Sequence, residues 1–327
     1  MRSVTAWFKR YALQLIVLLI VVVAMYALYP NFRPEAAIER LIPLGVIAAG
    51  LAVTMIAGEF DLSIASMAAL AGAITVALSG LGLVVSLLIA IVVCTLLGIV
   101  QGWAIAKLGI NSLVFTVGTL VLLRGLTWLV CGGLSISVED IAASDIFSGK
   151  FLFLSPLSTI AILILIALGV FLARTRWGRE LYALGSSRHE AIAAGVRYKR
   201  GMVIAFGISA GCGAVGGALT SAVSGSAAPT ALEPMLVLGI AAALVGGISI
   251  AGGRGTMVNV FLGFAIISVL ASGLAAMGSK AFVAQLFTGI FLLLIVLAEY
   301  VIQRVSERHR RTRTKRVLEE QQELAAV

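Results

Sequence analysis

Long apolar runs, separated by short charged or glycine- and proline-rich breaks, repeat along most of this chain. Most of them reach the roughly 17–25 residues that a helix needs to cross a hydrocarbon core of about 30 Å. Inside lipid every backbone amide must be satisfied internally, so only helices or closed barrels can span. The apolar positions are continuous rather than alternating, which excludes a barrel. The pattern predicts helices over 11–29, 41–57, 64–79, 83–106, 111–131, 156–173, 201–223, 236–250, 256–276 and 281–302. The third is short and follows the polar string Gly58-Glu59-Phe60-Asp61. The predicted fold class is all-α: a polytopic membrane protein of about ten transmembrane helices, with a membrane domain over 1–303 and a tail over 304–327.

Composition agrees with that reading. The 327 residues are 61% hydrophobic and 12% charged, with mean hydropathy +1.10, whereas soluble domains carry about a quarter charged residues. The net charge of +9 raises the question of nucleic acid, but the basic residues sit in short segments between apolar runs, where they set orientation. An even span count puts both termini on one side. If that side is the cytoplasm, 19 of the 24 basic residues lie inside, and only Arg33, Arg40, Lys150 and Lys280 lie outside. Both termini are therefore expected in the cytoplasm, and no nucleic-acid partner is expected. The first apolar stretch is too long for a typical cleavable signal core. Cys94, Cys131 and Cys212 are isolated and read as small packing residues.

Under this topology the longest external loop runs from Gly132 to Ser155 and carries Glu139, Asp140 and Asp145. The longest internal loop, 174–200, reads RTRWGRELYALGSSRHEAIAAGVRYKR and has helical character at its Ala-rich centre. The tail is basic and then reads LEEQQEL, which fits a cytosolic helix that touches lipid headgroups.

Ionisable groups inside a membrane are costly, so each is a functional candidate. The segment 58–63 places Glu59, Asp61 and Ser63 between two apolar runs. A helix break there exposes backbone groups that protein or a water-filled cavity must receive. Asp61 or Ser63 could cap the next helix, or either could contact a transported solute. Arg124 lies within a span and either snorkels to the outer headgroups or turns inward to pair with a carboxylate or carbonyls. The stretch 246–255 is dense in glycine, yet lacks the ending of a phosphate loop, and no Walker A sequence occurs anywhere. The small residues of 207–225 read as a close-packing helix surface. His189 and His309 lack metal-like partners and read as solvated.

Four of these strings resemble one family. GEFDLSIASMAALAGAI is similar to the Gly-Gly-Ile-Asp-Leu-Ser motif of the ribose-type permeases of ABC importers. TVGTLVLLRGLT, the loop RTRWGRELYALGSSRHEAIAAGVRYKR and GGISIAGGRG resemble three further segments of that family, in the same order. The likeness covers about 35–300. It implies a permease in the bacterial inner membrane, paired with a second copy or a paralogue. The resemblance also implies a periplasmic binding protein that delivers a sugar or sugar-like solute, and a cytoplasmic ABC ATPase. On this view the chain is no enzyme, holds no cofactor or metal, and leaves ATP to its partner. The loop would supply the coupling helix that docks on the ATPase, with Glu190, Ala191 and Gly195 at its centre. The chain departs from the family at Glu59, where the motif has Gly, at Ile64-Ala65, where it has Val-Gly, and at Ser187, where it has Asn. Glu59 could alter solute preference or face the cytoplasm.

The channel needs only weak solute contacts; Asp61, Ser63, Phe115, Thr116, Thr119 and Arg124 are the candidates for them. Other readings of the residues are an ABC permease for an amino acid or nucleoside, and a self-sufficient secondary transporter built on the two glycine-rich breaks. A membrane enzyme would need a cluster of acid, base and metal-type residues, and none is evident.

Overall fold

A computed structural model describes residues 2–276, apart from 30–31, 41, 141–143 and 145–154, together with scattered helical positions between 283 and 297. The helices run in the order α1 (Arg2–Leu28), α2 (Pro34–Arg40), α3 (Ile42–Ile56), α4 (Ile64–Ala77), α5 (Leu83–Leu108) and α6 (Ser112–Val130), of which the short polar α2, PEAAIER, is not among the expected elements. They continue as α7 (Pro156–Arg174), α8 (Arg176–Ser186), α9 (Arg188–Ala193), α10 (Tyr198–Ser224), α11 (Pro234–Gly246) and α12 (Met257–Ala276). All of these belong to one unit, Met1–Gly278; the few helical positions beyond belong to a second unit, Ser279–Val327. Most of the expected tenth span and all of the tail lie outside the described residues.

Among the described residues six helical stretches are long and apolar enough to cross a membrane: Tyr11–Leu28, Leu83–Leu108, Ser112–Val130, Pro156–Arg174, Tyr198–Ser224 and Met257–Ala276. The runs expected at 41–57, 64–79 and 236–250 form shorter apolar helices, Pro43–Ile56, Ile64–Ala77 and Pro234–Gly246. At 1.5 Å per residue, helices of this length cover only about 20 Å, less than a hydrocarbon core of about 30 Å. The breaks at 57–63 and 247–256 follow the ends of α3 and α11, and α4 starts from the first of them.

α10 is the central helix, packed on α3, α4 and α5. Its small residues make this possible. A Cβ at Gly50 of α3 would stand 2.7 Å from Cys212 Cβ, and one at Gly102 of α5 would stand 2.6 Å from the Met202 carbonyl. Only bare backbone fits at such distances. The three cysteines are buried and free, as packing residues should be, and His189 is exposed.

Contacts sort the loops to two ends of the bundle. At one end, the breaks at 57–63 and 247–256 meet the α8–α9 segment. At the other, a two-residue antiparallel ribbon, β1 (Ile136–Ser137) with β2 (Ser226–Ala227), lies by a 3-10 turn at Ser79–Leu81. There Ser79 Oγ accepts from the Glu139 amide at 3.2 Å. The ribbon is the one departure from all-α structure among the described residues.

Candidate functional site

The first break leaves α3 at Ile56 and enters α4 at Ile64. Asp61 and Ser63 are both buried there. The Asp61 carboxylate accepts from the Ser63 amide at 3.0 Å, Ser63 Oγ at 2.5 Å, Gln101 Nε2 at 3.3 Å and Ser209 Oγ at 2.7 Å. Ser63 is the N-cap of α4 by position, but its side chain makes no cap bond; it turns back to Asp61 instead. The pair therefore organises the break, and Gln101 and Ser209 tie it to α5 and α10. α6 is fastened to the same break. Ser112 Oγ accepts from the Phe60 amide, and Thr116 Oγ1 donates to the Phe60 carbonyl, both at 3.4 Å.

The second break joins α11 to α12. Asn259 Nδ2 and Gln14 Nε2 both donate to the Gly246 carbonyl, at 2.6 and 3.0 Å, which satisfies an acceptor left open by the end of α11. The two breaks bond to each other directly, from the Gly253 amide to the Ile56 carbonyl at 2.9 Å.

The predicted helical loop is α8 followed by α9. Thr175 caps α8 by accepting from the Gly178 amide at 3.0 Å. α8 then ends against both breaks. Gly185 lies so close that a Cβ would collide with the Ile56 carbonyl and stand 2.6 Å from the Gly253 nitrogen; a Cβ at Gly252 would stand 2.8 Å from Gly58 Cα. Tyr182 donates to the Gly255 carbonyl at 2.7 Å. Within α9, Ala191 is buried as an anchor, while Glu190 and the apolar Ile192 are exposed. Gly195 has φ +89° and donates to the Ile192 carbonyl at 2.9 Å, turning the chain back toward α10.

Glu59 does not lie free on a surface. It is 6% exposed, forms an ion pair with Arg188, and accepts from the Tyr198 hydroxyl at 3.4 Å.

Arg124 turns inward and pairs with Glu233 at 3.0 Å. Ala65, Ser66, Ala69, Leu120, Pro229 and Leu236 complete a cleft around the pair, with a volume of about 20 Å³. That is room for one water, far below the roughly 300 Å³ of a small-molecule pocket. Phe115 is half-buried, while Thr116 and Thr119 bond mainly along their own helix, Thr119 to the Phe115 carbonyl at 3.0 Å. The structure thus separates the six pathway candidates: Asp61 and Ser63 sit in the first break, and Arg124 sits in the small cleft.

Gln101, Ser209, Arg188, Tyr198 and Glu233 were not singled out by the sequence reading. Glu233 carried a usable signal, being the only acidic residue between Glu190 and Glu299. Gln101 and Ser209 were polar positions inside apolar runs, open to the same argument as Arg124.

A family model described as branched-chain amino acid transport system/permease component matches residues 34–297. The L-arabinose transport system permease protein of Escherichia coli is 28% identical over 306 residues, covering 91% of this chain and 92% of the relative. The ribose import permease protein of Bacillus subtilis is 30% identical over 290 residues, covering 86% and 90%. An autoinducer 2 import system permease protein of an Enterobacter species is 30% identical over 269 residues, covering 81% and 78%. No solved structure matches the chain. With its ordered motifs, paired helix breaks and full-length relatives, the chain belongs to this family of transport-system permease components, among the ribose-type permeases of ABC importers.

Proposed function

We propose that the chain forms the membrane pathway of a bacterial ABC importer for a sugar or sugar-like solute. In this reading a periplasmic binding protein delivers the solute, two permease subunits enclose the path, and a separate cytoplasmic ATPase binds and hydrolyses ATP. About ten spans with both termini in the cytoplasm would place 58–63, 174–200 and 251–255 together on the inner side, where their mutual contacts support the assignment. The inner membrane is the matching location.

The observation that carries the reading is the seating of the α8–α9 segment on both helix breaks. A short helix that shows Glu190 and Ile192 outward, anchored by Ala191 and returned by Gly195, suits a groove on an ATPase. Motion imposed on it from below reaches the end of α3 and the two breaks through direct backbone contacts, and through the breaks the helices α4, α11 and α12 that they join. No covalent chemistry on the solute is required. ATP binding on the partner would draw the coupling helices together and open the path outward, and hydrolysis with product release would let it face inward. The Arg124–Glu233 pair is the best-placed solute contact: both side chains are part-exposed, and Arg124 Nε lacks a hydrogen-bond partner among the described residues. Since its cleft is too small for a sugar in this conformation, α4, α6 and α11 must separate to admit one. Asp61 and Ser63 would act by shaping the break.

Co-purification from native membranes in mild detergent tests the assignment. An ATPase subunit should accompany the wild type and be lost from a Glu190→Arg/Gly195→Trp double variant. If no ATPase accompanies the wild type, and transport persists without one, the two meeting breaks would instead belong to a secondary transporter.

A further inference from the structure

Glu59 stands where the resembled motif has glycine, and its carboxylate is buried between three elements. Arg188, the first residue of α9, forms an ion pair with it. Tyr198, the first residue of α10, donates to the same oxygen, Oε1, at 3.4 Å, and its ring lies 4.7 Å beneath the Arg188 guanidinium. One carboxylate thus holds both flanks of the α9 turn. The neighbouring backbone leaves no slack. Gly58, next to Glu59, would bring a Cβ to 3.1 Å from Gly185 Cα, and the Gly253 amide bonds the Ile56 carbonyl at 2.9 Å.

We propose that Glu59 is a positioning residue for energy coupling, its ion pair with Arg188 fastening α9 to the α3–α4 break so that the two move as one body. The proposal rests on the permease reading above. Glycine packing alone resists compression of α8 onto the breaks but not separation, because a close approach without bonds offers little against pulling. A charged hydrogen bond at a mostly buried carboxylate resists separation, since parting leaves that charge unpaired in a low-dielectric site. The pair therefore supplies at the first break the resistance to separation that the Tyr182–Gly255 hydrogen bond supplies at the second. Arg188, with a side chain 47% exposed, is reachable from solvent and can adjust as α9 docks. A purely structural role for Glu59 would affect folding and yield but would not make transmission depend on the pairing of opposite charges.

The test uses the permease–ATPase complex, a non-hydrolysable ATP analogue and a methanethiosulfonate reagent, with Ser66→Cys in α4 as the reporter. Ser66 lines the Arg124–Glu233 cleft, so its labelling rate reports whether a change at the ATPase reaches the pathway. The analogue should change that rate in the parent. The response should shrink by roughly threefold or more in Arg188→Gln and Glu59→Gln, the scale on which single residues alter coupling between sites. The charge-exchanged Glu59→Arg/Arg188→Glu chain should regain most of it. ATPase co-purification should persist in all three variants. An unchanged response in Arg188→Gln overturns the proposal, as does a lost response that charge exchange fails to restore in complexes that assemble. Absence of the ATPase from the parent complex would instead strike the permease reading itself.

Discussion

Ser209 Oγ donates a 2.7 Å hydrogen bond to Asp61 Oδ2 across 148 residues of sequence. With Gln101 and Ser63, this bond encloses the carboxylate of a broken helix in donors from α5, α10 and its own loop. Ser209→Ala removes one donor without adding bulk and should lower stability by about 1–3 kcal/mol. Asp61→Ala leaves Ser63, Gln101 and Ser209 without their shared acceptor and should cost more than the serine variant. Thermal unfolding in detergent ranks the two; a Ser209→Ala variant as labile as Asp61→Ala would mean that the other donors contribute nothing.

Gly185 and Gly118 differ in what surrounds them. A Cβ at Gly185 meets two backbone segments, whereas one at Gly118 of α6 meets nothing within 4 Å. Backbone cannot yield as a side chain can, so Gly185→Ala should sharply reduce folded protein. Gly118→Ala relieves a helix of its most flexible residue and should be neutral or stabilising by about 0.5–1 kcal/mol. Membrane yield and melting temperature of the two variants separate steric closure from a general intolerance of alanine.

Gly195 has open space around it but φ +89°. Gly195→Ala should therefore cost only about 1 kcal/mol, through backbone strain, and leave α10 packing intact. Stability should fall by no more than that strain. ATPase co-purification should fall, because the return of α9 toward α10 sets which residues face outward.

Arg124 and Glu233 are paired at 3.0 Å and are each about two-fifths accessible, at 40% and 37%. Their proposed role is contact with solute. Arg124→Gln should lower import by roughly tenfold, the order expected for loss of one hydrogen bond to a charged group, while the amount of assembled complex stays the same. A matched loss of assembly and import would assign the pair to folding alone.

Sidedness can be read by thiol labelling. With Cys94, Cys131 and Cys212 replaced, a cysteine at Glu190 should react only from the cytoplasmic face, and one at Glu139 only from the opposite face. Reaction of both from one side would overturn the alternation assigned from charge.

The existence and order of the apolar helices through 276 were legible in the sequence, because an apolar helix is a local property, whereas the short polar α2 and the N-terminal extension of α1 to Arg2 were not. An apolar helix depends on a continuous stretch being long and apolar enough, whatever lies elsewhere in the chain. The helical loop at 174–200 and the breaks at 58–63 and 246–255 were legible for the same reason, through glycine, proline and charge. Family membership was legible because ordered motifs survive at known spacing. The expected spans at 41–57, 64–79 and 236–250 were already the shortest of the ten, and the structure makes each helix two residues shorter still.

Only the tertiary structure decided the partners. Arg124 could have snorkelled or paired, and Glu59 could have met solute or solvent; neither outcome follows from local composition. Glu59 and Arg188 are 129 residues apart, and their meeting depends on α8 seating between two breaks, which in turn depends on three glycines lying close to one another. Such a contact is a product of many helix packings at once. A buried charge announces that it needs a partner, because desolvation demands one, but the fold chooses which.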